Sequence, residues 1–131
     1  MKIKLVDLIT DKVIEIPDIV KITIGRSHEA DISLDGYIDE KETLKYLSRT
    51  HCMIDSQNDP PYVTDLDSVN GTYVNGEKVE STQGLSLVHG DILRLDQRGF
   101  QVLFENNKAR RSEKTKKMAQ NETVTMKVGR N

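Results

Sequence analysis

The sequence predicts an all-β protein, folded as a β-sandwich of short and mostly antiparallel strands. Along residues 1–105, short apolar runs alternate with polar residues at a period of two, which is typical of strands with one buried face. Turn-forming residues separate these runs, and seven of the eight glycines lie in this part of the chain. Many short strands joined by tight turns favour a sandwich, and 131 residues suffice for one such domain plus a short tail.

The predicted strands follow one another along the chain with one interruption. The Asn-Gly pair at residues 75–76 predicts a two-residue hairpin loop, because both residues tolerate a positive φ. Strands are predicted at residues 3–8, 13–16, 20–24, 51–54, 62–66, 72–74, 78–79, 85–88, 92–95 and 100–104. The turns between the later strands are predicted at Pro60-Pro61, Asn70-Gly71, Asn75-Gly76, His89-Gly90-Asp91 and Arg98-Gly99.

The interruption is the segment GYIDEKETLKYL at residues 36–47. Its apolar residues Ile38, Leu44 and Leu47 are separated by charged residues, without the alternation of a strand. This spacing is compatible with a short helix and equally with an irregular loop, so both alternatives stay open.

The charge distribution divides the chain into two parts. Residues 1–107 hold 11 Lys and Arg against 19 Asp and Glu, a net charge of −8, whereas residues 108–131 hold 8 against 2, a net charge of +6. The apolar residues of the last segment are too few to offset the cost of ordering its backbone. We therefore expect a domain at residues 1–105 and a basic, disordered tail at 106–131.

Several functional classes are disfavoured. No run approaches the ~20 apolar residues of a membrane helix, and the amino terminus does not resemble a secretory signal. We therefore expect a cytoplasmic protein, or a nuclear one if the source is eukaryotic. The single cysteine, Cys52, allows no internal disulfide. It alternates with Ile54, so it is expected to face the core, on the opposite face of the strand from His51.

No catalytic or metal-binding pattern is apparent. The three histidines lack ligand spacing, and no nucleophile elbow or phosphate loop occurs. The segment DLDSVNG at residues 65–71 departs from a calcium loop because Val69 occupies the fifth position and Gly71 the seventh. Asp65 and Asp67 are instead expected to end a strand and form a turn. We expect no enzyme activity, no metal and no cofactor.

Polar residues at strand ends carry the functional signal. Gly25-Arg26, Ser48-Xaa-Xaa-His51, Asn70-Gly71-Thr72 and Val74-Asn75-Gly76 occur in this order on a strand-rich chain. This combination resembles the forkhead-associated (FHA) domain family over roughly residues 1–105. The resemblance implies an eleven-stranded β-sandwich that binds phosphothreonine peptides with loops at one end and is not catalytic. Its partners would be phosphothreonine proteins, namely substrates of a Ser/Thr kinase or the kinase itself, and its role that of a signalling adaptor.

The resemblance also implies roles for individual residues. Arg26 would bind the phosphate through its guanidinium and Ser48 through its hydroxyl, with Arg49 as a second cation on the same loop. Asn70 would hydrogen-bond the peptide backbone. Supporting roles fall to His51, which would brace the loops, and to residues that supply special backbone shapes: Gly25, Gly71, Asn75 and Gly76.

Two departures from the family pattern concern ligand binding. Val69, which the resemblance places among the phosphopeptide-binding residues, stands where the family often carries Ser or Thr, so a donor to the phosphate or the peptide is missing. The connection at residues 35–47 is longer than usual and acidic, and it could shape what lies C-terminal to the phosphothreonine.

Three alternatives remain. Thr115, Thr123 or Thr125 of the tail, once phosphorylated, could bind the domain itself or a neighbouring copy. The basic tail could bind nucleic acid without sequence specificity, although it lacks aromatic stacking partners. The domain could also be a structural sandwich without phosphate affinity.

Overall fold

A computed structural model describes residues 2–18 and 21–105, which contain eleven strands. Two helical segments, a 3-10 turn at Leu34–Gly36 and the single-turn helix α1 at Lys41–Leu44, lie between the fourth and fifth strands. The strands are β1 Lys2–Asp7, β2 Val13–Ile16, β3 Lys21–Gly25, β4 Ile32–Ser33, β5 Cys52–Asp55, β6 Tyr62–Asp65, β7 Thr72–Val74, β8 Glu77–Lys78, β9 Leu85–Ser86, β10 Ile92–Leu95 and β11 Arg98–Glu105.

The strands form two sheets, which confirms the predicted β-sandwich. One sheet has the order β2-β1-β11-β10-β7-β8 and the other β4-β3-β5-β6-β9. All pairings are antiparallel except β3 with β4. Alternate residues of the strands face a common core, which includes Ile14, Ile24, Leu93 and Phe100, all fully buried. Cys52 lies in this core as predicted, and burial raises the pKa of its thiol well above the usual range.

The Asn75-Gly76 hairpin forms as the sequence predicts. Val74 pairs with Glu77, so these two residues alone make the loop, with φ of 50° and 86°. The Asn75 side chain also donates to Asp91 and accepts the amide of Ile92, both at 2.9 Å. Asn75 therefore joins this hairpin to the start of β10.

The turn predicted at Arg98-Gly99 is wrong. Leu95 pairs with Arg98, so the turn consists of residues 96 and 97, and Asp96 has a φ of 52°. Arg98 begins β11 and is only 2% exposed. In the sequence, an arginine beside a glycine resembles a solvent-exposed turn. The burial of Arg98 could not be predicted, because the carboxylate that pairs with it is distant along the chain.

The segment at residues 36–47 combines both of the alternatives that the sequence left open. Helix α1 spans only Lys41–Leu44, and irregular backbone flanks it on both sides. Ile38 and Leu47 are buried at the two ends of the segment. They fix the segment to the core, so its charged residues can remain at the surface. The short strand β4 and the 3-10 turn before this segment were not predicted.

The expectation of a disordered tail at 106–131, with its three threonines, lies outside the described residues. Within residues 2–18 and 21–105, no helix is long and apolar enough to cross a membrane.

Candidate functional site: a groove between three loops

Three loops that are distant in sequence meet in one groove at the end of the second sheet. We name them the first loop (residues 26–31, after β3), the second loop (residues 45–51, before β5) and the third loop (residues 66–71, after β6). The groove between them has a volume of ≈ 580 Å³. It is lined by all five residues predicted to bind ligand, Arg26, Ser48, Arg49, Val69 and Asn70, together with Glu29, Lys45, Tyr46, Leu47, Thr50, Leu66 and Asp67.

The first and second loops touch where β3 ends. A Cβ atom at Gly25 would lie 1.9 Å from the carbonyl oxygen of Arg49, so only glycine permits this approach. The next residue, Arg26, donates its backbone N–H to the Ser48 carbonyl at 2.9 Å. Its guanidinium Nη1 donates to the Lys45 carbonyl at 3.4 Å. The backbone and the side chain of Arg26 are therefore both hydrogen-bonded to the second loop, and Arg26 lies beside Ser48.

Ser48 connects the second and third loops. Its Oγ accepts the backbone N–H of Val69 at 3.0 Å. Because the hydroxyl accepts in this bond, its own proton remains a donor for a bound ligand. The backbone and side chain of Ser48 thus contact all three loops, and the hydroxyl keeps its donor function.

His51 lies beneath the groove, fully buried, and its two ring nitrogens bond different loops. Nδ1 accepts the backbone N–H of Ser48 at 3.1 Å, and Nε2 lies 2.8 Å from the Gly71 carbonyl. Since Nδ1 accepts, the ring proton must be on Nε2, which donates to Gly71. Burial lowers the pKa of His51 below its ordinary value, which favours this neutral form, although the bond to Gly71 opposes the shift.

Asn70 closes the groove across the second and third loops. Its Nδ2 donates to the Tyr46 carbonyl at 2.8 Å, which uses one of its two amide hydrogens. The following residue, Gly71, has a φ of 91°, in the left-handed region that glycine adopts without strain. Val69, on the other side of Asn70, is 85% exposed.

The shape of the third loop depends on Asp65 at the end of β6. One carboxylate oxygen accepts the Ser68 amide at 3.0 Å, and the other accepts the hydroxyls of Ser68 at 2.6 Å and Thr72 at 2.7 Å. Asp67 has a φ of 56° within the same turn. Both aspartates therefore have the strand-end and turn roles that the sequence predicts.

Within residues 2–18 and 21–105, no cluster of three or more His, Cys, Asp or Glu side chains could hold a metal ion.

The groove is lined by three cations, Arg26, Lys45 and Arg49, and by two anions, Glu29 and Asp67. Arg49 Nη1 lies 4.0 Å from Glu29 Oε2, and the Lys45 ammonium lies 2.9 Å from Glu42 Oε1. These pairs are exposed, and such pairs contribute only about 0–1 kcal/mol. The cations can therefore turn toward a ligand anion at small cost. Sequence reasoning missed Lys45 and Tyr46, although their position directly before the Ser48 motif could have indicated them.

Two packed sheets with a cation-bearing groove between the loops at one end define a β-sandwich whose candidate site lies on its loops. The sequence profile of the FHA domain matches residues 22–96, more than half of the chain. The chain therefore belongs to the FHA domain family. It has no significant match among curated proteins.

Solved structures with the same fold include several FHA domains. One, from a structural and functional analysis of phosphothreonine-dependent FHA domain interactions, is 24% identical with a TM-score of 0.65, and the match covers 81% of this chain and 99% of that chain. The N-terminal FHA domain of S. cerevisiae Rad53p, in complex with a phosphothreonine peptide, is 21% identical with a TM-score of 0.65, covering 85% and 98%. Mycobacterium tuberculosis EmbR, in complex with a low-affinity phosphopeptide, is 24% identical with a TM-score of 0.64, covering 78% of this chain and 24% of EmbR.

Proposed function

We propose that this chain is a phosphopeptide-binding module that recognises phosphothreonine in partner proteins. The observation that carries the proposal is the meeting of Arg26, Ser48 and Asn70, from three separate loops, in one open groove. A phosphothreonine carries nearly two negative charges and several acceptor oxygens. A guanidinium, a hydroxyl donor and an amide on a rigid frame match this chemistry.

Each of the three residues has a distinct proposed role. Arg26 pairs with the phosphate, and Ser48 donates to it through the proton that its bond with Val69 leaves available. Asn70 uses its remaining N–H and its carbonyl to bond the peptide backbone and thereby fixes the direction of the peptide. Arg49 and Lys45 add positive charge at the rim of the groove.

The hydrogen bonds within the site support this assignment because they join the loops to one another. The contacts made by Ser48, His51 and Asn70 hold the second and third loops against each other. Less conformational entropy is then lost on binding, which improves affinity. The complexes of related FHA domains with phosphothreonine peptides support the same ligand class. A domain of this kind would act as an adaptor in Ser/Thr kinase signalling, whose partners are kinase substrates or the kinase itself.

The test is a titration of one phosphothreonine peptide and its unphosphorylated twin against three proteins. A charge-assisted hydrogen bond contributes roughly 1.5–3 kcal/mol, so Arg26→Ala should weaken phosphopeptide binding by ~10- to 100-fold. The matched control is Lys21→Ala, which removes an exposed cation at the other end of β3. It should retain the affinity of the wild type. Equal affinity of the wild type for both peptides would falsify the proposal and leave a structural sandwich without phosphate affinity.

A further inference from the structure

An apolar surface extends the groove beyond its charged residues. Val69 and Tyr46 are 85% and 51% exposed, and both line the groove together with the half-buried Leu66. Single exposed apolar residues are common and need no explanation. Here Val69, the most exposed of the large apolar side chains of the described residues, and Tyr46 lie on two different loops of the same groove, which indicates a contact surface.

The backbone that carries both side chains is fixed by the binding residues themselves. Ser48 Oγ accepts the amide of Val69, and Asn70 donates to the carbonyl of Tyr46. The backbone at both residues is therefore fixed by hydrogen bonds. The two side chains extend from it immediately beside the proposed contacts with the phosphate and with the backbone of the peptide. The Lys45 ammonium lies 5.2 Å from the centre of the Tyr46 ring, within cation–π range.

The charges near this surface are mixed, because Lys45 directly precedes Tyr46 whereas Asp67 lies two residues before Val69. Asp67 lines the same groove as Val69. A second, polar cleft adjoins this groove, and Asp67, Val69 and Asn70 line both. An Asp or Glu on the peptide beside Val69 would meet the like charge of Asp67. An apolar side chain would instead remove the exposed surfaces of Val69 and Tyr46 from water.

We propose that Val69 and Tyr46 determine specificity by selecting phosphopeptides with a large apolar residue close to the phosphothreonine. This inference rests on the proposed function, because the phosphate contact places the peptide in the groove. Burial of one such side chain against the two residues should raise affinity about 10-fold over alanine. Acidic residues at the same position should give no gain.

The experiment uses the full chain and a phosphothreonine peptide flanked by alanines. Leucine, and separately aspartate, replaces one flanking alanine at a time, and affinities are measured by fluorescence anisotropy for wild type, Val69→Thr, Tyr46→Ala and the control Val88→Thr. Val88 is also an exposed valine, 51% exposed, but it lies outside the groove. The measured quantity is the ratio of leucine to alanine affinity within each protein, which cancels effects on phosphate binding.

We expect one position at which leucine binds about 10-fold more tightly than alanine in wild type and Val88→Thr. The ratio should fall toward one in Val69→Thr and Tyr46→Ala. No gain at any position, a gain that persists in both groove variants, or an equal gain with aspartate overturns the inference. If the alanine parent binds no better than its unphosphorylated twin, the proposed function fails instead, so the two failures are distinguishable.

Discussion

Loss of the Arg98 side chain should destabilise the fold more than loss of any exposed cation. Arg98 and Asp7 are 2% and 1% exposed, and Arg98 donates to both Asp7 oxygens at 2.7–3.2 Å. In Arg98→Met the aliphatic volume remains, but the Asp7 carboxylate is left buried without its partner. Breaking a buried pair in this way costs about 3–5 kcal/mol.

Urea denaturation followed by circular dichroism measures this loss as a fall in the free energy of unfolding. The control is Lys21→Met, which removes an exposed cation at the start of β3 and should change the free energy of unfolding by at most about 0.5 kcal/mol. Adding Asp7→Asn to Arg98→Met removes the unpaired charge but keeps an acceptor for the Ile9 amide. The double variant should therefore recover about 2 kcal/mol.

The pH dependence of stability gives an independent check on the same pair. Burial raises the pKa of Asp7, but the bonds from Arg98, Ile9 and Thr10 outweigh it, so the net pKa lies below 3.8. The pair thus stabilises the fold fully above about pH 4, and the contribution disappears as the pH falls below that value.

If Arg98→Met stays within ~1 kcal/mol of wild type, or the double variant is no more stable than the single one, the buried pair does not work as described.

Three further predictions concern the groove. Gly25→Ala should abolish phosphopeptide binding because its Cβ would meet the Arg49 carbonyl, whereas Gly36→Ala, with open space around it, should bind normally in the same titration. Burial lowers the pKa of His51, so the free energy of unfolding should decline as the pH falls below 6.5, because the unfolded chain then binds a proton that the folded chain does not. An equal decline in His51→Gln would show that His51 is not the group that titrates. Ser48→Ala should weaken phosphopeptide binding ~10-fold in calorimetry, and unchanged affinity would exclude its hydroxyl as a donor.

The fold was largely predictable because its signals are local. The alternation in β1 or β10 and the Asn-Gly pair at residues 75–76 are visible within a few residues. Arg98 was misassigned because its partner Asp7 lies 91 positions away, and no local pattern shows that pairing. Strand β4 was missed because two residues show no period, and its parallel pairing with β3 is set by tertiary packing.

The sequence named five residues that line the candidate groove, but it did not show how they are connected, and their binding roles stay a prediction. Each motif alone is ordinary turn chemistry, and only the order of the motifs resembles the FHA family. The bonds from Val69 to Ser48 and from Asn70 to Tyr46 join positions 21 and 24 residues apart. They depend on how the second and third loops meet, which no spacing in the sequence determines.

The buried Arg98 pair and the groove are parts of one arrangement. Arg98 Nη1 also donates, at 3.0 Å, to the carboxylate of Glu40, which is the residue directly before α1. The chain is thus fixed at Glu40, again at the buried Leu47, and again at Ser48 by its bond to His51. Lys45 and Tyr46 lie on the surface between these fixed points. Substitution of these two side chains should therefore leave the core and the proposed phosphate contacts of Arg26 and Ser48 in place.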